Sequence, residues 1–314
     1  MADRALDIVI DGRTKDLGGF QVSRVLPFAK RRLVGPFIFL DEMGPATFKP
    51  GDGIDVRPHP HIGLATVTYL FDGEMDHADS LGVFQTIYPG DVNWMTAGRG
   101  IVHSERTGLA ARETGFHLHG IQTWVALPED REDTEPAFHH HPGNALPDFK
   151  TGGVSMRLIL GTAYGHESPV EVFSPIVYIH AEAEAGAVFD LPGEHEELAV
   201  YVVSGAIELG GERIATGQLA VLADGQAGEV SVQEASRLMI LGGASMGTRF
   251  IEWNFVASTK QQIETAKQDW RDSIANGFDG TRFTQARGET EYIPLPGDPE
   301  PGEPPRPTKD CPTT

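Results

Sequence analysis

Two histidines one residue apart, His59 and His61, stand in the stretch Arg57-Pro-His-Pro-His-Ile-Gly63, and a second spaced pair, His103 and Glu105, follows about forty residues later. In an extended strand, residues two apart point to the same face, so each pair can aim at one point. Three imidazoles and one carboxylate form a donor set suited to iron, copper, zinc, nickel or manganese. Pro58 and Pro60 stiffen the backbone around the first pair, and the glycine-rich turn Ala97-Gly98-Arg99-Gly100 leads into the second. Buried histidines often serve only as hydrogen-bonding core residues. Here the ligand types and their count favour a metal.

Other titratable residues carry less. His117 and His119 share a face of an expected strand but have no adjacent carboxylate, so they read as pocket lining, surface, or a second layer that orients the first pair. Glu74 and Glu113 stand singly beside turns and read as solvated. The triplet His139-His140-His141 cannot aim three consecutive side chains at one site on a regular element, and is expected to face solvent.

The elements that must position these residues are short runs rich in Val, Ile and Phe, bounded by turn residues, which is the pattern of an all-β sandwich or barrel. Strands are expected at Ala5–Ile10, Phe20–Val25, Phe37–Leu40, Ala65–Phe71, Gly82–Tyr88, Asp91–Met95, Ile101–Arg106 and Gly115–Leu127. Residues 1–128 form the first unit, 129–153 a charged connection, and 154–296 a second strand-rich unit with a helix at 259–276. That helix is expected to open on a capping box, Ser258 with Gln261, and to pack Ile263, Ala266, Trp270 and Ile274 against a barrel. Residues 297–314 are Pro-rich and acidic and read as a disordered tail holding the single cysteine, Cys311.

A formal net charge of -20 over 314 residues argues against direct nucleic-acid binding, because the phosphate backbone would be repelled. The one compact basic run, Lys30-Arg31-Arg32, reads as a solvated loop. No early stretch combines a basic start with a long apolar core, and no apolar run approaches membrane-spanning length. The expectation is a cytoplasmic protein with no membrane contact.

The second unit partly repeats the first. Val67–Gly73 resembles Val200–Gly205, and Pro89-Gly90-Asp91 resembles Thr216-Gly217-Gln218. Carrying those offsets across places Leu191 and Gly193 opposite the His59 and His61 positions, and Val230 and Val232 opposite His103 and Glu105. All four ligand slots of the second copy are therefore expected to be empty. His180 and His195 have no partner at ligand spacing and read as structural or surface residues.

These residues carry a family resemblance. Gly53, His59-x-His61, Thr66 and Gly73 resemble the first motif of the cupin superfamily, with Thr66 where that motif usually has glutamate. The run Trp94-Met-Thr-Ala-Gly98-x-Gly-Ile-x-His103-Ser-Glu105 resembles the pirin family, in which the carboxylate ligand comes from this second strand. Trp253–Ser258 and Tyr292–Pro296 are similar to pirins as well, so the likeness runs roughly from residue 5 to 296.

The resemblance implies two cupin barrels of the jelly-roll kind packed together. It implies Fe(II) held in the N-terminal barrel alone by His59, His61, His103 and Glu105, with Mn, Ni, Cu, Zn or Co as other possible occupants. Four protein ligands on an octahedral metal leave about two positions open. The implied activity is of the quercetin 2,3-dioxygenase type, with a flavonoid-like hydroxy-ketone and O2 as substrates, carbon monoxide as a product and Glu105 as candidate catalytic base. The resemblance also admits a different class, an iron-dependent regulator that acts through a protein partner, since eukaryotic pirins resemble transcription cofactors.

Overall fold

The computed structural model describes residues 5–16, 20–223, 225–226 and 228–301. Cys311 and the rest of the tail beyond residue 301 lie outside the described residues. The regular structure is nearly all antiparallel β-sheet, as the short β-branched and aromatic runs predict.

In the first half a seven-stranded sheet faces a four-stranded one. The large sheet runs, in spatial order, through Ala137–His141, Val92–Thr96, Leu64–Asp72, Phe116–Ala126, Phe37–Phe48, Gln21–Leu26 and Arg13–Asp16. The small sheet runs through Asp55–His61, Ile101–Arg106, Met75–Asp79 and Phe84–Ile87. The second half is one ten-stranded sheet. Its long strand Glu229–Gly243 changes partner along its length, pairing Val188–Asp190 near one end and Ile176–Ala183 near the other. The sheet therefore curls around a core of its own, where Leu191, Val230 and Val232 pack among aliphatic neighbours.

The two halves meet face to face. Along Leu64–Asp72, Leu64 and Leu70 enter clusters inside the first barrel, while Ala65, Val67 and Tyr69 join a core shared with Tyr178, Tyr201, Met239 and Leu241. Both faces of this strand are buried, so Thr66 and Thr68 are buried along with the apolar residues they alternate with.

The halves also exchange ends. Strand Leu6–Asp11 does not join the first barrel but pairs with Gln218–Leu222 of the second-half sheet, with Ile10 opposite Leu219. In return the hairpin Phe250–Glu252/Phe255–Ala257 and the helix Lys260–Ala275 lie on the first barrel. There Phe255, Ala266, Trp270 and Phe283 cover Ile62 and Val102. The connection between halves carries strands of both: Ala137–His141 extends the first sheet, and Asp148–Thr151 the second. In the histidine triplet His139 is exposed, and His140 Nδ1 lies 2.8 Å from Asn93 Oδ1. Among the described residues no helix is long and apolar enough to cross a membrane.

The helix begins one residue later than its sequence suggests. Thr259, not Ser258, is the cap: its Oγ1 accepts from the Gln262 amide at 3.3 Å, and Gln262 Oε1 accepts from the Thr259 amide at 3.1 Å. Ser258 is drawn away because its hydroxyl donates to the buried carboxylate of Glu132 at 2.8 Å. Thr259→Ala should therefore lower unfolding stability by about 1 kcal/mol. A urea midpoint indistinguishable from that of the parent chain would contradict this cap assignment.

Candidate metal centre

Strand Asp55–His61 holds two prolines, which a central strand would not tolerate. It lies at the edge of the small sheet, with only Ile101–Arg106 beside it, so the absent amide hydrogens are no loss. The antiparallel register sets His59 directly opposite His103 and His61 opposite Ile101. Gly63, with φ of +65°, then reverses the chain; a Cβ there would sit 2.1 Å from the Val256 carbonyl oxygen.

Three imidazoles converge as a result. Ligand atoms of His59, His61 and His103 all lie within 4.8 Å of one another, and all three side chains are buried. His59 Nδ1 is 2.9 Å from the Arg57 carbonyl, and His61 Nδ1 is 2.9 Å from the Asn254 carbonyl. A carbonyl only accepts, so each Nδ1 carries the proton and each Nε2 presents a lone pair. His103 Nε2 is 3.1 Å from His61 Nε2, while its Nδ1 is buried without a partner. Either tautomer of His103 leaves one polar group unmatched. A cation among the three nitrogens would take up these lone pairs, so the residues fit a metal on chemical grounds. Among the described residues no other group of three or more such side chains converges in this way.

Glu105 stands apart from that trio. The ladder bulges between His103 and Glu105, which places Glu105 opposite Val56. Its carboxylate lines the same cavity as His59 and accepts a hydrogen bond from Gln122 Nε2 at 2.6 Å, with Thr68 as a further donor. Burial pushes its carboxyl above the ordinary range, against the opposing pull of His77, Gln122 and Thr68. Thr66, on the same strand as Thr68, is buried opposite Trp124.

Two contributors had escaped the sequence reading. His77 lies across the ladder from Glu105, 5.3 Å from the His103 ring by centroids, and its Nε2 is held 3.1 Å from Asp79 Oδ2. The His77-Ala-Asp79 spacing was the available signal. The Trp253-Asn254 turn is the other: Asn254 fixes His61 through its backbone, and Trp253 lines the cavity with φ of +53°, a strained value for a tryptophan. His117 and His119 take no part in the cluster. They bond Thr47 at 2.9 Å and Glu42 at 2.8 Å, the latter towards the junction of the halves, where Tyr201 also donates to Glu42.

The cavity has a volume of about 590 Å³, within the range of small-molecule sites. Phe39 and Trp124, stacked 4.0 Å apart, give it an aromatic wall, and Arg24 lies over Phe39 while making a bidentate ion pair with buried Asp41.

The three imidazoles make a pH prediction for the metal-free protein. Burial lowers His59 from 6.5 to about 4, and His61 and His103 are lowered as well. Between those pH values the unfolded chain binds protons that the folded chain refuses, so stability is full above 6.5 and falls as pH drops. The slope approaches ~1.4 kcal/mol per pH unit for each histidine. His59→Gln should flatten it between neutral pH and pH about 5. Equal slopes in urea titrations of the two proteins would show that His59 is not desolvated.

The chain matches the Pirin family profile over residues 19–125 and the Pirin C-terminal cupin domain over residues 178–276. It is 50% identical to a pirin-like protein of Caulobacter vibrioides, over 93% of this chain and 99% of that one. A Pseudomonas aeruginosa protein provisionally named a quercetin 2,3-dioxygenase is 41% identical over 82% of this chain and 81% of its own length. A crystal structure of quercetin 2,3-dioxygenase from Acinetobacter baumannii superimposes with a TM-score of 0.81 and 33% identity, covering 93% of this chain and 97% of that one. The continuous match across both halves, with the three-histidine cluster inside the first, makes this chain a member of the pirin family, a two-barrel cupin protein.

Proposed function

We propose that this protein is an iron-dependent, ring-cleaving dioxygenase of the quercetin 2,3-dioxygenase type. The observation that carries the reading is the trio of buried imidazole nitrogens opening on an aromatic-walled cavity. In this reading His59, His61 and His103 hold the metal, and Glu105, in the same cavity, is the fourth donor. When bound, Fe(II) supplies Lewis acidity for a substrate hydroxyl and the redox capacity to use dioxygen. The likeness to proteins named as quercetin dioxygenases supports the reaction class.

The chain's own residues account for the rest of the reaction. Phe39 and Trp124, with Val22, Met43, Ile54 and Val56, give the cavity apolar surface for an aromatic hydroxy-ketone. Glu105, buried in the same cavity, is the carboxylate placed to take the proton of the substrate hydroxyl. Gln122 and Thr68 hold that carboxylate in place for the transfer.

A second reading rests on the net charge of -20, which suits a basic patch on a protein partner better than nucleic acid. It makes the protein a regulator whose partner binding depends on the iron oxidation state. Partner capture that differs between Fe(II)- and Fe(III)-loaded protein, with no turnover, would favour it.

Anaerobic reconstitution with Fe(II), followed by quercetin and oxygen, should bleach the flavonol absorbance and release carbon monoxide. His61→Ala should lose the metal, whereas Glu105→Gln should lower kcat by about 10²–10⁴-fold. Fully loaded protein that releases no carbon monoxide would overturn the dioxygenase assignment.

A further inference from the structure

A second cavity, of about 580 Å³, lies where the two halves meet and shares no lining residue with the metal cavity. Its wall is a continuous polar chain. Arg157 forms a bidentate pair with Asp148, 2.8 Å at both contacts, and also bonds the Tyr69 hydroxyl. The Tyr69 hydroxyl lies 2.9 Å from His180 Nδ1, and His180 Nε2 lies 3.1 Å from Glu182 Oε1. A carboxylate only accepts, so His180 carries its proton on Nε2, and Tyr69 donates to Nδ1. Arg237 closes the chain by donating from Nε to the same Glu182 oxygen at 2.6 Å, with its guanidinium 4.6 Å over the Phe71 ring.

This wiring leaves two cationic groups uncommitted. The two Nη groups of Arg237 and the ammonium of Lys150 have no hydrogen-bond partner among the described residues, and both residues line the cavity. Arg237 is clamped between Phe71 and Glu182, so its free edge is already oriented and little side-chain entropy remains to be lost on binding. Three cations face two carboxylates here, on a chain whose net charge is -20. An interdomain tether alone would need neither the space nor the spare donors. Leu70, Phe149 and Met156 border the cavity with their side chains turned into the barrel cores, so its apolar surface is that of exposed Pro89 and half-buried Phe71.

We propose that this junction cavity binds a small organic carboxylate with an aromatic or apolar body. The carboxylate pairs with the Nη edge of Arg237 and with Lys150, and the body rests on Pro89 and the edge of Phe71. This site stands independently of the metal cavity and of the reaction proposed there.

Calorimetric titration of the metal-loaded full chain with benzoate, benzamide and inorganic phosphate tests it. Benzoate should bind saturably at one site per chain, benzamide should not, and phosphate should bind more weakly than benzoate. Lys150→Gln, at an exposed position, and Arg237→Gln should each weaken benzoate binding several-fold, and together by about tenfold or more, since each removes a charge-assisted hydrogen bond. His59→Ala should leave benzoate binding intact, which separates this cavity from capture by the metal. The proposal is overturned by absence of saturable binding, by equal affinity for benzamide, by phosphate binding more tightly, by indifference to both substitutions, or by loss of binding in His59→Ala.

Discussion

Everything at the metal centre depends on burying three neutral imidazoles with their lone pairs facing one another. Burial of this kind is unfavourable unless each polar atom is matched. Backbone carbonyls of Arg57 and Asn254 match two Nδ1 protons, while His103 keeps one unmatched nitrogen. The cluster is thus incomplete as a hydrogen-bonded core and complete as a donor set for a cation. That distinction separates a metal site from three structural histidines, and it follows from the strand register that sets His59 against His103.

The two-barrel architecture serves this arrangement from outside. The second barrel fills its interior with aliphatic side chains, Leu191, Val230 and Val232 among them, and thereby supplies a rigid sheet against which the first can pack. The C-terminal hairpin and helix return to the first barrel, bringing the Asn254 carbonyl to His61 and the Trp253 ring to the cavity wall. The strained backbone of Trp253 is held by this packing, so part of the stability of the helix layer is spent on the geometry of the site.

The sequence made the histidine pairs legible because strand periodicity is two and a His-x-His pair survives any shift in strand boundary. The same periodicity could not foresee the bulge after His103, a local slip of the ladder that leaves Glu105 hydrogen-bonded to Gln122 and outside the imidazole trio. His77 and Asp79 were hidden for another reason: Met75–Asp79 is short and polar, and it becomes a strand through its neighbours on both sides. Asn254 acts through a carbonyl that every residue possesses, so no side-chain signal marks it. The exchange of ends rests on pairings between residues far apart in the chain, such as Ile10 with Leu219, which local pattern does not encode.

The most direct measurement is an anomalous difference map, recorded at the iron edge, from crystals of the full chain grown with stoichiometric Fe(II). A metal centre built by strand register predicts one peak per chain, bounded by the Nε2 atoms of His59, His61 and His103. A peak at His139–His141 alone, or no peak among the three buried imidazoles, would contradict the central claim.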